Sequence, residues 1–218
     1  MKRSLLALVF GVGAMASVML LAAGRFDAPW LWAYAAAWGI YAWISIAVGR
    51  RFNSDLLAER MKPPSDRDRL TRRLSGPCML AHLVVAGLDV RFGWSSLGAV
   101  WHLLGFGLLG LGWAWIAWTF ATNRFASSAV RIQGDRGHAV VDRGPYAHVR
   151  HPMYLGVLLT TLGSGPAVGS LWAGLMLAPL VPIFVRRTRF EDALLHDELE
   201  GYATYAERVR WKLVPGVY

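Results

Sequence analysis

Residues 143–156 read RGPYAHVRHPMYLG and hold two Arg, two His, two Tyr and two Pro in fourteen positions. They sit where a polar, basic stretch gives way to an apolar one. A proline fixes its own backbone angle and drives the residue before it out of the helical region, so His151 is expected to be extended and Pro152 to open the next helix. Such a helix mouth carries unpaired N–H groups and the positive end of a helix dipole, which suits a carboxylate or phosphate. Arg150, Met153 and Tyr154 flank that mouth. Gln133 and His138 precede it in RIQGDRGHAVVD, while Arg187 and Glu191 follow it.

Taken singly, ionisable and aromatic residues at a membrane boundary anchor helices. Together these offer more. Tyr146, Tyr154 and Glu191 can hold a cation through ring faces and charge, the His side chains or helix amides can bind a carboxylate, and Arg187 can orient an anionic second substrate. That set suits a zwitterionic, sulfonium-bearing cofactor. A metal site is the weaker reading, because His138, His148 and His151 lie in irregular sequence with neither a helical i, i+4 pair nor a cysteine partner.

The elements that must position these residues are those of an all-α integral membrane protein. The 218 residues are 55% hydrophobic with eleven Trp, the mean hydropathy is +0.36, and long uncharged runs recur. The net charge of +9 raises nucleic acid as a partner. The basic residues flank the apolar runs, however, where topology and anionic headgroups account for them, and no reader motif is present. A lone cysteine, Cys78, excludes an intramolecular disulfide and reads as a packed core thiol.

In chain order, about four transmembrane helices are expected, followed by a helical hairpin and a cytosolic amphipathic tail helix. The first run, 5–23, has the length of a span and is read as a retained helix rather than a signal peptide. The second, 30–48, is rich in Trp and Tyr that fit an interfacial belt or pack against neighbours. Segment 49–75 reads as a solvated loop with a short amphipathic piece, LLAERM, capped among Asn53, Ser54 and Asp55 and stopped by Pro63 and Pro64. A third apolar segment covers 76–90, with Asp89 and Arg91 at its far interface. The fourth, 97–120, carries Gly105, Gly107, Gly110 and Gly112, which favour close helix packing or a cofactor contact. Residues 154–185 exceed one span and are broken at GSGP, 163–166, which implies a hairpin. From Arg186 the chain reads as an amphipathic helix. No internal repeat is visible, so 1–218 reads as a single membrane domain, with N-terminal transmembrane helices in 1–120 and the cofactor-binding half in 121–218.

All but Arg25 and Arg91 of the 23 lysines and arginines fall at the N-terminus, in 49–75, in 121–153 or after 185. By the positive-inside rule, both termini and the motif-bearing loops face the cytosol.

RGHAVVDRGPYAHVRHPMYLG, with RRTRFEDALL and GYATYAERVRWKLVPG downstream, resembles the isoprenylcysteine carboxyl methyltransferase family of integral membrane enzymes. The resemblance covers roughly 123–216 and rests on the HPxY core and the RxxxE spacing. The related phospholipid N-methyltransferases share the plan, with a GxG in a membrane helix and a paired Glu near the C-terminus. The resemblance implies S-adenosylmethionine as methyl donor, with S-adenosylhomocysteine as product, enclosed in a cytosolic C-terminal pocket. Gln133, His138 and Val141 would line it, Tyr146 would pack against it, and Arg150, His151, Pro152, Met153 and Tyr154 would form a wall. Glu191 would bind the cofactor, and Arg187, four residues earlier on the same helical face, would face the methyl acceptor. The sequence departs from the pattern at Asp192, where the second acidic residue is shortened.

The implied chemistry is in-line methyl displacement on a lipophilic acceptor that enters from the bilayer. A carboxylate or thiolate acceptor needs no general base, so alignment and desolvation would carry the rate. An amine must first lose a proton. Three readings stay open: methylation of a prenylcysteine-like carboxylate or a thiol, phospholipid N-methylation with Gly110 and Gly112 as cofactor contacts, and a non-catalytic lipid-binding protein.

Overall fold

The computed structural model describes residues 2–60 and 69–218. The described residues are helical, with no strand among them. Among the described residues nine α-helices follow in order: α1 Lys2–Ala23, α2 Pro29–Phe52, α3 Ser54–Arg60, α4 Arg69–Phe92, α5 Ala99–Thr122, α6 Pro152–Val168, α7 Leu171–Leu177, α8 Leu180–Glu198 and α9 Tyr202–Arg208. Four segments of the described residues are long and apolar enough to cross a membrane: Leu6–Ala23, Pro29–Phe52, Ala99–Thr122 and Leu171–Glu198. The protein is thus an all-α integral membrane protein, as its composition implies. The expected 76–90 is not among these four segments, because α4 begins with Arg69, Arg72 and Arg73 and ends with Asp89 and Arg91, which leave only 74–88 uncharged, short of a span.

Two compact units interleave along the chain. The first takes residues up to Ile44, Leu74–Leu111 and Leu159–Val181. Its helices approach through glycine. A side chain at Gly163 would strike the Gly105 carbonyl and Leu108, and one at Gly87 would strike Met19 and Ala22. Gly105 and Gly163 therefore serve backbone-to-backbone packing of α5 on α6, the default reading of small residues in membrane helices.

The predicted break at 163–166 is absent: α6 runs through it, and Pro166 lies in its last turn. A proline there forfeits a single backbone bond, and the helix stops instead at Gly169, whose φ of 77° ends the turn. Ser170 then caps α7, its hydroxyl accepting from the Ala173 N–H at 2.9 Å. Asp89, expected at an interface, is buried. It accepts from the Ser95 N–H at 2.6 Å, the Ser95 hydroxyl at 2.7 Å and the Ser170 hydroxyl. His82 is buried too, with Nδ1 3.0 Å from the Ala173 carbonyl and Nε2 3.2 Å from the Tyr34 hydroxyl, which in turn donates to Ser164. Cys78 is half-buried rather than fully packed.

The second unit takes Ser45–Arg73, Gly112–Leu158 and Pro182–Tyr218. Here α3 is not a solvated loop. Its Glu59 is buried and pairs with Arg131 at 2.6 Å. Arg60 stacks 4.6 Å above the Phe120 ring and donates to the Ala126 carbonyl at 3.0 Å. The Asn53 side-chain amide donates to the Phe120 carbonyl. Pro63 and Pro64 lie outside the described residues. The amphipathic tail does not start at Arg186 either, since α8 is continuous from Leu180 to Glu198. The chain then turns at Gly201 (φ 81°) into α9, whose Tyr202, Tyr205 and Ala206 pack inward with Leu199.

Candidate functional site

The motif folds as the proline pattern dictates. Arg143 is extended, residues 144–147 form one 3₁₀ turn with Pro145 in its first positions, and Pro152 opens α6. Gly144 is required twice over. Its φ is 60°, and a Cβ would meet the Thr122 hydroxyl at 2.7 Å and the Trp118 indole at 3.2 Å.

The helix mouth is not an open anion site. Arg150 and His151 donate their backbone N–H groups to the Trp211 and Lys212 carbonyls, each at 2.9 Å, and Pro152 has none to offer. The C-terminal tail, rather than a ligand, satisfies these amides. Sequence reasoning had no means of anticipating this, because two backbone groups sixty residues apart leave no mark on side-chain identity.

An open cleft of about 750 Å³ lies in this unit. Gln133, His138, Val141, Tyr146, Arg150, His151, Met153, Tyr154 and Glu191 line it, joined by Phe125, Leu194, Leu195, Leu199, Tyr202 and Tyr205. Pro152 and Arg187 are not in this lining. Pro152 is buried at the start of α6. Arg187 is buried behind Tyr154, its Nε donating to the Tyr154 hydroxyl at 2.8 Å and its Nη2 to the Ser128 carbonyl at 2.7 Å. The Tyr154 hydroxyl donates in turn to Glu191, so Arg187, Tyr154 and Glu191 form one chain of bonds. The guanidinium also lies 5.3 Å from the centre of the Tyr154 ring.

Glu191 and Asp192 are neighbours on α8, about 100° apart around the helix, and they point to different tasks. Glu191 faces the cleft. Asp192 is buried at a hub, with Oδ1 3.0 Å from Arg150 Nε, 3.1 Å from His151 Nε2 and 2.9 Å from the Tyr202 hydroxyl. Its Oδ2 is 3.0 Å from Lys212 Nζ. Such a cluster joins α6, α8, α9 and the tail. The shortened side chain thus fits a crowded hub, and Tyr202 and Lys212 are contributors that the motif reading missed.

The remaining wall is set by local bonds. The buried Gln133 side chain donates to the Phe125 carbonyl at 2.7 Å and accepts from Arg136, and its backbone N–H donates to His138 Nδ1 at 3.3 Å. That last bond leaves the His138 proton on Nε2. Burial, reinforced by Arg131 and Arg136, lowers the His138 pKa to about 4, so the ring is neutral at pH 7. Arg131 is held charged by Asp135 and Glu59. Tyr146 accepts from Asn123 at 2.8 Å, and its carbonyl accepts from the Tyr205 hydroxyl at 2.8 Å. Burial first, and Asp192 second, push the Tyr202 hydroxyl pKa up, so it stays a donor.

What this arrangement can do follows from its parts. One carboxylate, Glu191, two guanidiniums, Arg131 and Arg150, several aromatic faces and an apolar side suit an amphiphilic ligand that carries charge of both signs. Among the described residues no group of three or more His, Cys, Asp or Glu is placed to hold a metal ion.

Residues 100–199 match the phospholipid methyltransferase family, a class of membrane methyltransferases, and this bears out the resemblance read from HPxY and RxxxE. The match covers α5, the motif, α6, α7 and α8. The chain is also 32% identical over 124 residues to the cobalt-zinc-cadmium resistance protein CzcN of Cupriavidus metallidurans, a stretch that is 55% of this chain and 54% of that protein. The chain therefore spans about half the length of the curated relative it matches.

Proposed function

We propose that the protein is an S-adenosylmethionine-dependent membrane methyltransferase whose acceptor is a lipophilic carboxylate, prenylcysteine-like, or a lipophilic thiol. The observation that carries this reading is the Tyr154–Glu191 contact beside the aromatic cleft, inside the stretch that matches the family. When bound, the cofactor supplies an electrophilic methyl group on a sulfonium centre. Glu191 offers the compensating charge, Tyr146 and Tyr154 offer ring faces, and Phe125, Leu195 and Leu199 exclude water from the apolar side. Arg187 holds the Tyr154 hydroxyl from behind and supplies the positive charge toward which an anionic acceptor end would turn.

The candidate bases of the wall are weak or already engaged: a pKa near 4 makes His138 a poor proton acceptor for an ammonium group, Glu191 accepts from the Tyr154 hydroxyl and His151 is paired with Asp192. A carboxylate or thiolate needs only alignment and desolvation. Phospholipid N-methylation is the second reading, favoured by the description of the matching family. Gly110, which that reading would place at the cofactor, has open space beside it and is not in the cleft lining. On the distribution of positive residues, the cleft and both ends of the chain are proposed to face the cytosol.

Calorimetry with S-adenosylmethionine, which carries the sulfonium charge that S-adenosylhomocysteine lacks, tests the cofactor. Binding should be measurable in the native protein and fall at least tenfold in Glu191→Gln, as expected for a lost charge contact of about 1.5–3 kcal/mol. Unchanged affinity in Glu191→Gln would sink the site. Transfer of a radiolabelled methyl group to prenylcysteine analogues, alkyl thiols and phosphatidylethanolamine separates the acceptors, and labelling of phosphatidylethanolamine alone would replace the first reading with the second.

A further inference from the structure

The tail beyond α9 ends in a small ordered knob that the methyl-transfer reading does not use. The Leu213 and Val214 N–H groups donate to the Tyr218 carbonyl at 2.8 and 2.9 Å, while the Val217 and Tyr218 N–H groups return to the Val214 carbonyl at 3.1 and 3.0 Å. Gly216, at φ 81°, closes the turn. Four amides are thereby satisfied internally, and the side chains presented outward are apolar. Val217 is 78% exposed, Val214 38% and Trp211 39%, whereas Leu213 is buried and fastens the turn to the unit.

This knob is tied to the point where a membrane segment changes character. Along Leu171–Glu198 the apolar composition stops at Val185, and Arg186, Arg187 and Arg189 follow at once. Arg189 Nε donates to the Tyr218 hydroxyl at 3.0 Å, and its guanidinium lies 5.5 Å from the centre of the Tyr218 ring. Lys212 Nζ sits 5.7 Å from the centre of that same ring while paired with Asp192. Arg186 and Phe190, within one turn of Arg189 on α8, and Arg210, next to Trp211, are exposed.

On α8 the arginines come first; Glu191 is bound by the Tyr154 hydroxyl and Asp192 is buried among Arg150, His151 and Lys212, while Asp197 and Glu198 close the helix roughly 12 Å or more from Arg189 at 1.5 Å per residue and Glu200 follows them. On α9, Arg208 is neutralised by Asp142, and Glu207 is exposed. The positive end is thus the one to which the apolar turn is fastened.

From this juxtaposition we propose that the turn 214–217, with Trp211 and the arginines at 186, 189 and 210, is an interfacial anchor that docks on an anionic lipid leaflet. Aromatic and aliphatic side chains favour the headgroup boundary, arginines favour anionic headgroups, and a turn with satisfied amides can enter that boundary without exposing bare backbone. Docking would also bear on the cleft, since the carbonyls of Trp211 and Lys212 hold the amides of Arg150 and His151.

The test places an environment-sensitive dye on Val217→Cys in a Cys78→Ser background, with the full-length protein reconstituted into vesicles. Vesicles of pure phosphatidylcholine are compared with mixtures containing phosphatidylglycerol, each doped with lipid quenchers near the headgroup. The proposal expects a blue shift and quenching in the phosphatidylglycerol vesicles that weaken at high salt. Arg186→Gln and Arg210→Gln should each lower the docked-to-free ratio roughly fivefold. Strong quenching that is equal in both lipids and indifferent to salt and arginine would overturn the anionic preference. A dye that stays in water in every vesicle, or one shielded only when protein concentration rises, would overturn the anchor in favour of an exposed turn or a contact between copies. Circular dichroism of each variant separates these outcomes from misfolding.

Discussion

The two units bury polar groups by opposite means. In the first, His82, Tyr34 and Ser164 bond one another and the Ala173 carbonyl, and Asp89 bonds the hydroxyls of Ser95 and Ser170. The partners are neutral, and the packing is set by glycines that let helices touch. In the second, Asp192 gathers Arg150, His151 and Lys212, and Glu59 is buried against Arg131. Neutral bonds are short-ranged and suit a membrane-like core, where an unpaired charge is costly. An ionic hub fixes several chain segments at once, but removing one partner strands the others. The contrast indicates that the first unit is built to pack and the second to hold a constellation.

The largest effect should come from breaking the hub. Asp192→Ala leaves buried positive charge without compensation and should lower the unfolding free energy by about 3–5 kcal/mol, read as a lost or early thermal transition in detergent. Asp192→Asn, which keeps the shape, should fall between this variant and the native protein. In the first unit, His82→Leu should cost about 1–3 kcal/mol, the penalty for unpartnered Tyr34 and Ala173 groups. Equal losses in Asp192→Ala and His82→Leu would erase the distinction between the units.

Tyr154→Phe isolates function from stability. The ring stays and the hydroxyl that links Arg187 to Glu191 goes, so the melting temperature should change little while affinity for S-adenosylmethionine falls about tenfold, the effect of one charge-assisted bond. A large drop in melting temperature with unchanged affinity would move Tyr154 from the site to the scaffold.

The smallest effect concerns pH. His138 has a folded pKa of about 4, below the unfolded value near 6.5. Its contribution to stability is therefore complete above about pH 6.5, and it is lost as pH falls from there through 4, because the unfolded chain takes up the proton first. Acid titration of stability should show this loss, and His138→Phe should flatten it. A midpoint of His138 near 6.5, measured in the folded protein by NMR, would show that its burial is not felt.

Much of the fold was legible because membrane helices declare themselves by composition. Three of the four spanning segments coincide with apolar runs, and Pro152 opens α6 because proline chemistry is local. Nine of the residues named from the motifs line one cleft. What failed was reading one residue's neighbours from its own identity. GSGP looks like a turn, yet Gly163 is small because Gly105 of α5 lies against it. Asp192 looks like a weakened copy of Glu191, yet it faces a separate hub. LLAERM looks like a solvated helix, yet Glu59 is buried on Arg131.

The sequence by itself determined that this is a helical membrane protein with a basic, aromatic motif in its C-terminal half, because hydropathy, proline geometry and residue spacing act over a few positions. Only the tertiary structure decided that Arg187 stands behind Tyr154, that Asp192 ties the motif to the tail, and that the backbone of Trp211 and Lys212 occupies the helix mouth. Those outcomes depend on which distant groups meet, and hydrogen bonds between chain segments sixty residues apart are set by packing rather than by any local pattern.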